Sequence, residues 1–138
     1  MARAGAGPRA KLAVLALCAL SVINYFPWRA IDKYYHYLDM RPDVRQLAKQ
    51  HRFDGALVLI RGAMFPDYES AAIENPLDLS RRDATIYAWD RNHEARSATL
   101  RMYSDRPVWI VEGPTITGSG YRIVEGPMPA AALMGSAP

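Results

Sequence analysis

The stretch Ala84–Val111, ATIYAWDRNHEARSATLRMYSDRPVWIV, reads as a strand, a helix and a second strand. ATIYAW is rich in β-branched and aromatic side chains, which fit a pleated, half-buried surface. Asn92 is an N-cap residue that accepts from the free N–H groups of a first turn, and Glu94 sits where the helix dipole favours an acid. The helix predicted from Asn92 to about Ser104 would turn Ala95, Ala98, Thr99 and Met102 inward. Asp105-Arg106-Pro107 makes the turn, and Val108–Val111, VWIV, is apolar without alternation. The connection from Trp89 to Val108 is long enough for a crossover, so the two strands are predicted to run parallel.

Working outward, Ala56–Ile60, ALVLI, is a further unbroken apolar run, the pattern of a strand buried on both faces. Arg61-Gly62 ends it. Before it, Pro42 and Asp43 suit a helix start, and Val44, Leu47, Ala48 and His51 recur at helical spacing, so the face they share is predicted to pack inward. A short helix is predicted around Asp67–Glu74, broken by Asn75-Pro76. After the third strand, residues 113–120 form a Gly/Thr/Ser loop. Residues 121–124 make a short edge strand, predicted antiparallel because the loop is too short for a crossover. The expected fold is therefore α/β: a small, mostly parallel sheet of three to four strands with flanking helices, preceded by one membrane helix. Its segments are a basic start (1–11), the span (12–28), an aromatic collar (29–41), the α/β domain (42–126) and an unordered tail rich in Ala, Pro and Gly (127–138).

The charge distribution narrows the class of partner. Of 17 basic residues, four lie within residues 1–30, where there is no acid; all 14 acids lie beyond. The remainder is nearly neutral and offers no basic face for a phosphate backbone, so nucleic acid is not an expected partner. A single cysteine excludes a disulfide framework.

Leu12–Trp28, LAVLALCALSVINYFPW, is uncharged and would extend roughly 25 Å as a helix, at the short end of what crosses a bilayer. Arg3, Arg9 and Lys11 precede it, and Tyr25, Phe26 and Trp28 sit where an interfacial aromatic belt would lie. Tyr34, Tyr35 and Tyr37, in the collar, are further candidates for headgroup contact, which makes membrane lipid the expected partner. A cleaved signal peptide has the same opening pattern, but the one small-x-small site, Ala19–Ser21, lies inside the apolar run. A buried core helix would leave the one-sided basic flank unexplained. Lys and Arg are balanced across the span, so charge alone does not orient it.

Ligands of open α/β sheets lie at the carboxyl ends of the strands. Here those ends carry Arg61, Asp90 and Glu112, with Asp67, Asn92 and His93 nearby; Arg61, Asp90, His93 and Glu112 are the candidate ligand-binding residues. Asp90 and His93 could share acid–base work, yet the segment 90–94 is equally what a helix N-terminus requires. No phosphate-binding glycine motif, nucleophile elbow or metal-ligand spacing occurs, so no catalytic residue, metal site or cofactor is expected.

The phrases PWRAIDKYYHYLDMRPDVRQLA, LVLIRG, PDYESAAIENPLDL, IYAWD and DRPVWIVEGPTIT together cover about three quarters of the chain. In this order they resemble the extramembrane C-terminal tail of bacterial multi-spanning glycosyltransferases of the GT-C type. These are similar to the dolichyl-phosphate-mannose protein mannosyltransferase group and the lipid A glycosyl-transfer enzymes. The resemblance implies a last membrane helix running into a small α/β domain on the outer side of the cell membrane, in a family that uses polyprenyl-phosphate-linked sugars. It also implies that the catalytic acids belong to a first outer loop that has no counterpart here. The expected role is therefore binding or accessory. The possible partners are a multi-span membrane protein or a polyprenyl-linked sugar. The alternatives are a ligand-binding domain or enzyme acting at the strand ends, and a purely structural partner of a multi-span protein.

Overall fold

The computed structural model describes residues 7–34 and 40–134, with the side chains of 32–34 left out. The chain divides into two units, residues 1–37 and 38–138. The first is helix α1, Pro8–Trp28, continued by a π-helical segment, Arg29–Tyr34. It begins four residues before the predicted span, because Pro8 fits a helix's first position, where its missing N–H would be unpaired anyway. No side chain of α1 is buried within the protein, and it is the one described helix long and apolar enough to cross a membrane. Tyr25 lies between Phe26 and Trp28, with ring centroids 6.3 and 6.2 Å away, and the Arg29 guanidinium lies 5.6 Å over its ring. The three aromatics of the expected belt thus gather at one end of the helix. Tyr35 and Tyr37 lie outside the described residues, as does the Tyr34 side chain.

In the second unit the elements run α2 (Asp43–His51), β1 (Leu57–Arg61), a π-helical turn (Met64–Tyr68) entering α3 (Glu69–Ala72), β2 (Ile86–Trp89), α4 (His93–Met102), β3 (Pro107–Glu112), α5 (Pro114–Thr117), β4 (Arg122–Pro129) and α6 (Ala130–Met134). The sheet order is β2-β1-β3-β4. β1 is parallel to both neighbours, Leu57 standing beside Ile86 and Val108, and β4 is antiparallel to β3. The fold class is the expected one, with the mixed edge strand where the loop length placed it.

Both faces of β1 are covered, which explains its unbroken apolar run. Val58 and Ile60 join Tyr87, Trp109 and Val111 under Val44, Phe53, Ala71 and Tyr121. Leu57 and Leu59 join Ile86 and Val108 under Leu100 and Ala130 on the other face. Each of β1's first four residues is sealed from solvent.

Three expectations are corrected. The tail from residue 127 is ordered as far as Met134: β4 runs through Pro129, and α6 follows with Ala130 fully buried against Leu57, Leu100 and Val108. Its small residues pack closely instead of fraying. In α4 the inward stripe is Arg96, Thr99, Leu100 and Tyr103, at i, i+3, i+4 and i+7, while Ala98 and Met102 are exposed. The helix is turned by Arg96, which reaches a carboxylate at the strand ends. In α2 His51 is exposed, although its ring lies 6.3 Å from Phe53 and 6.0 Å from Trp109.

Two polar side chains close the ends of the sheet. The Arg106 guanidinium, 6 % exposed, donates to the carbonyls of Ala84 (2.6 Å), Arg81 (2.7 Å) and Gly55 (3.3 Å). Asn75 lies along the outer edge of β2, accepting from the Tyr87 N–H at 2.7 Å and donating to the Tyr87 carbonyl at 2.9 Å. Its carboxamide stands where a further strand would pair, which blunts an edge open to aggregation.

Candidate functional site

The connection from β1 leads to β2 on one side, and the chain then crosses back to β3 on the other. The carboxyl ends of β1 and β3 therefore flank the topological switch point, where open α/β sheets form their ligand crevice. Both strands end in glycine, Arg61-Gly62 and Glu112-Gly113.

Asp67, from the turn after β1, fills that crevice. It is fully buried. A β-carbon on Gly62 would overlap Asp67 Oδ2, and one on Gly113 would overlap its Cγ and Cβ, so both strand ends need glycine for the carboxylate to fit. Asp67 Oδ2 accepts from the Ala63 N–H (2.9 Å) and from the Thr115 hydroxyl; Oδ1 accepts from the Thr115 N–H (3.1 Å). The Tyr121 hydroxyl donates to the Asp67 main-chain carbonyl. One side chain thus ties together the loops that follow β1 and β3. A carboxylate bound by two backbone N–H groups and a hydroxyl occupies the kind of cradle that an anionic ligand would otherwise use.

Asp90 is committed in a different way. Its side chain is fully enclosed, and it accepts from Arg61 Nε at 3.0 Å and from Arg96 Nε and Nη2, both at 2.7 Å. Two guanidiniums on one carboxylate satisfy both of its oxygens, the arrangement in which an enclosed ion pair costs least. Glu112 stands beside Arg61 in register and accepts from Arg122 Nη2 at 2.7 Å. Asp90, Arg61, Glu112 and Arg122 therefore form a row of alternating charge across the ends of β2, β1, β3 and β4.

The structure brings Arg61, Asp90 and Glu112 to one end of the sheet, as expected, but not His93. His93 is exposed at the first position of α4, and among the described residues its imidazole has no hydrogen-bond partner. Asn92 caps the helix, its Oδ1 accepting from the Ala95 N–H at 2.8 Å. Beside Asp90, the Trp89 indole donates to the Gly62 carbonyl at 2.9 Å, Tyr68 stacks on it at 6.2 Å, and the Arg91 guanidinium lies 5.6 Å over its ring. Burial is the main cause that raises the Tyr68 phenol above its ordinary pKa, and the Glu69 charge adds to it.

Sequence reasoning placed Asp67 only near the site and missed Arg96, Thr115 and Tyr121. The paired strand-end glycines were the available signal for Asp67. Nothing in the spacing marks Arg96. No cluster of three His, Cys, Asp or Glu that could hold a metal exists among the described residues.

A separate groove of about 430 Å³ lies along α2 and the start of β2, lined by Arg45, Lys49, Arg52, Phe53, Glu74 and Tyr87 among others. It shares no residue with the strand-end row. Arg45 pairs with Glu74 at 2.5 Å, while burial, with help from Glu74, pushes the Tyr87 phenol up to about 12. Compared with known proteins, the chain matches no family model, no curated protein and no solved structure.

Proposed function

We propose that the chain is a single-pass protein of the cell membrane whose α/β domain, outside the cytoplasm, binds or supports a partner and performs no chemistry of its own. Its role would correspond to that of the tail of a GT-C glycosyltransferase, with a multi-span membrane protein or a polyprenyl-linked sugar as the partner.

The observation that carries this reading is Asp67 in the switch-point crevice. The place where the fold would admit a substrate is filled by the chain's own carboxylate, and Asp90 and Glu112 beside it are held by arginines. A general acid or base must reach the proton that it moves, and these carboxylates face protein donors. The exposed apolar surface of α1 supports the anchor, and the outer placement rests on the resemblance.

The test is reconstitution of the purified chain in vesicles with a labelled polyprenyl-phosphate sugar and a range of acceptors. No transfer is expected, and measurable sugar transfer by the isolated chain would overturn the proposal. The same membranes, washed with carbonate, should retain the protein; release into the supernatant would favour a cleaved or peripheral segment.

A further inference from the structure

The groove of about 430 Å³ along α2 and the start of β2 contains a polar group that the fold leaves unused. Tyr87 belongs to the core beneath it and is only 4 % exposed. Its main chain is paired with Asn75, but among the described residues nothing donates to or accepts from its hydroxyl. Every described side-chain polar atom that is sealed from solvent has a partner, so this hydroxyl opens onto the groove that Tyr87 lines. Burial, with the Glu74 charge adding, pushes the phenol up to about 12, so at neutral pH it holds a proton to donate. A side-chain donor so nearly buried and without an acceptor is an exception in folded proteins.

The rim decides what fits it. Arg45, Lys49 and Arg52 line the groove from α2 and its end, against Asp54 and Glu74. Arg45 is engaged by Glu74, with Nη2 2.5 Å from Oε1. Lys49 and Arg52 have no acceptor among the described residues, and the one acid left to oppose them, Asp54, is exposed. Positive charge in the last turn of a helix answers its dipole. That accounts for the two cations, but not for a phenol without an acceptor in the same groove.

The three free groups all donate, and two of them are positive. The occupant that satisfies them is an oxyanion. A carboxylate offers two oxygens, whereas a phosphate monoester offers three and a charge of about −2. The volume suits a small organic molecule, and Ala48 and Pro76 supply apolar wall for its body. We propose that this groove binds a phosphate monoester, whose oxygens accept from Tyr87, Lys49 and Arg52. The site belongs wholly to the second unit and does not depend on the membrane span.

Calorimetric titration of the full-length protein in detergent provides the test, with phenyl phosphate as the probe and benzyl alcohol as its uncharged control. Phenyl phosphate should bind and benzyl alcohol should not. Tyr87→Phe removes an oxygen that bonds nothing in the protein, so the melting temperature should hold while affinity falls about tenfold, on the scale of one charge-assisted hydrogen bond. Arg52→Gly removes the guanidinium at a φ of 52°, a conformation that suits glycine, so it should also keep the fold and weaken binding about tenfold. Arg101→Gln, which removes the same charge from the exposed face of α4, should leave affinity unchanged. No binding at millimolar phenyl phosphate, binding that either groove variant leaves unchanged, or an equal loss in Arg101→Gln overturns the site. Glycerol 3-phosphate and dihexanoyl phosphatidic acid then separate the sources of the ligand: tighter binding of the lipid identifies a headgroup, and equal or tighter binding of glycerol 3-phosphate a soluble ester.

Discussion

Asp90 and His93 stand three residues apart in the sequence and have separate fates in the fold. Asp90 is gripped by two guanidiniums that are themselves 32 and 27 % exposed, so its removal strands two cations that water reaches only in part. Asp90→Ala should lower stability by about 2–3 kcal/mol, less than a fully buried pair would cost because both arginines keep some hydration. His93→Ala should change it by no more than about 0.5 kcal/mol, as for an ordinary surface position. Urea titrations of the two single variants would check the contrast. Tyr121 supplies a second prediction, through pH. Burial is the largest cause that pushes its phenol up to about 12, with Asp67 and Asp43 adding to the shift and a Ser70 hydrogen bond opposing it. Below pH 10 the phenol is protonated in both folded and unfolded chains and its contribution to stability is fully present. Above that, the unfolded chain ionises first, so stability falls as pH rises through about 12. Thermal melts from pH 9 to 12 should show this decline, and Tyr121→Phe should make it shallower while removing the bond to the Asp67 carbonyl. At this scale the sequence was legible in residue type more than in partnership. Asp90, Arg61 and Glu112 were placed by where strands end, but Arg96 became their neighbour only through the rotation of α4.

The exposed edge of β2 is a four-residue strand with Asn75 beside it. Removing that carboxamide leaves the Tyr87 N–H and carbonyl without a partner at a half-buried edge. Asn75→Ala should therefore cost about 1–3 kcal/mol, measured by denaturant unfolding, and should increase aggregation on refolding, measured by light scattering. The same element shows why prediction from pattern works for strands and falters for their caps. The apolar run of Ala56–Ile60 announced a strand sealed on both faces, since no alternation is compatible with one wet face. Asn75 read as a helix breaker, which it is. Its second role depends on where the loop after α3 returns. Likewise α4 was found by its cap and its period, but its inward face was assigned one step off. Three small or apolar residues, Ala95, Ala98 and Met102, outweighed an arginine in the pattern, while in the fold Arg96 has an anion to meet. The segment from residue 127 read as a tail for its Pro and Gly content. Proline suits a sheet edge, where an N–H can be spared, and that is the position β4 holds.

On the scale of the whole molecule the two units are distinct, and the second contains both core clusters. Residues 38–138 expressed without α1 should give a soluble domain with a single cooperative unfolding transition and no binding to vesicles. An unfolded or aggregated product would show that the anchor is part of the fold. The one described helix long and apolar enough to cross a membrane, the α/β class, the parallel direction of the first three strands and the antiparallel edge strand were all determined by the sequence itself. These depend on local periodicity, on the length of apolar runs and on connection lengths, which a chain carries whatever its neighbours are. The tertiary structure alone decided that Asp67, remote from Thr115 in the chain, fills the crevice between β1 and β3, that Asp90 is shared by Arg61 and Arg96, and that the last residues described pack as α6 against the sheet. The first two depend on groups that only the folded chain brings together, Asp67 with Thr115, 48 residues on, and Asp90 with Arg61, 29 residues back, where an enclosed carboxylate persists only beside the donors that the fold supplies.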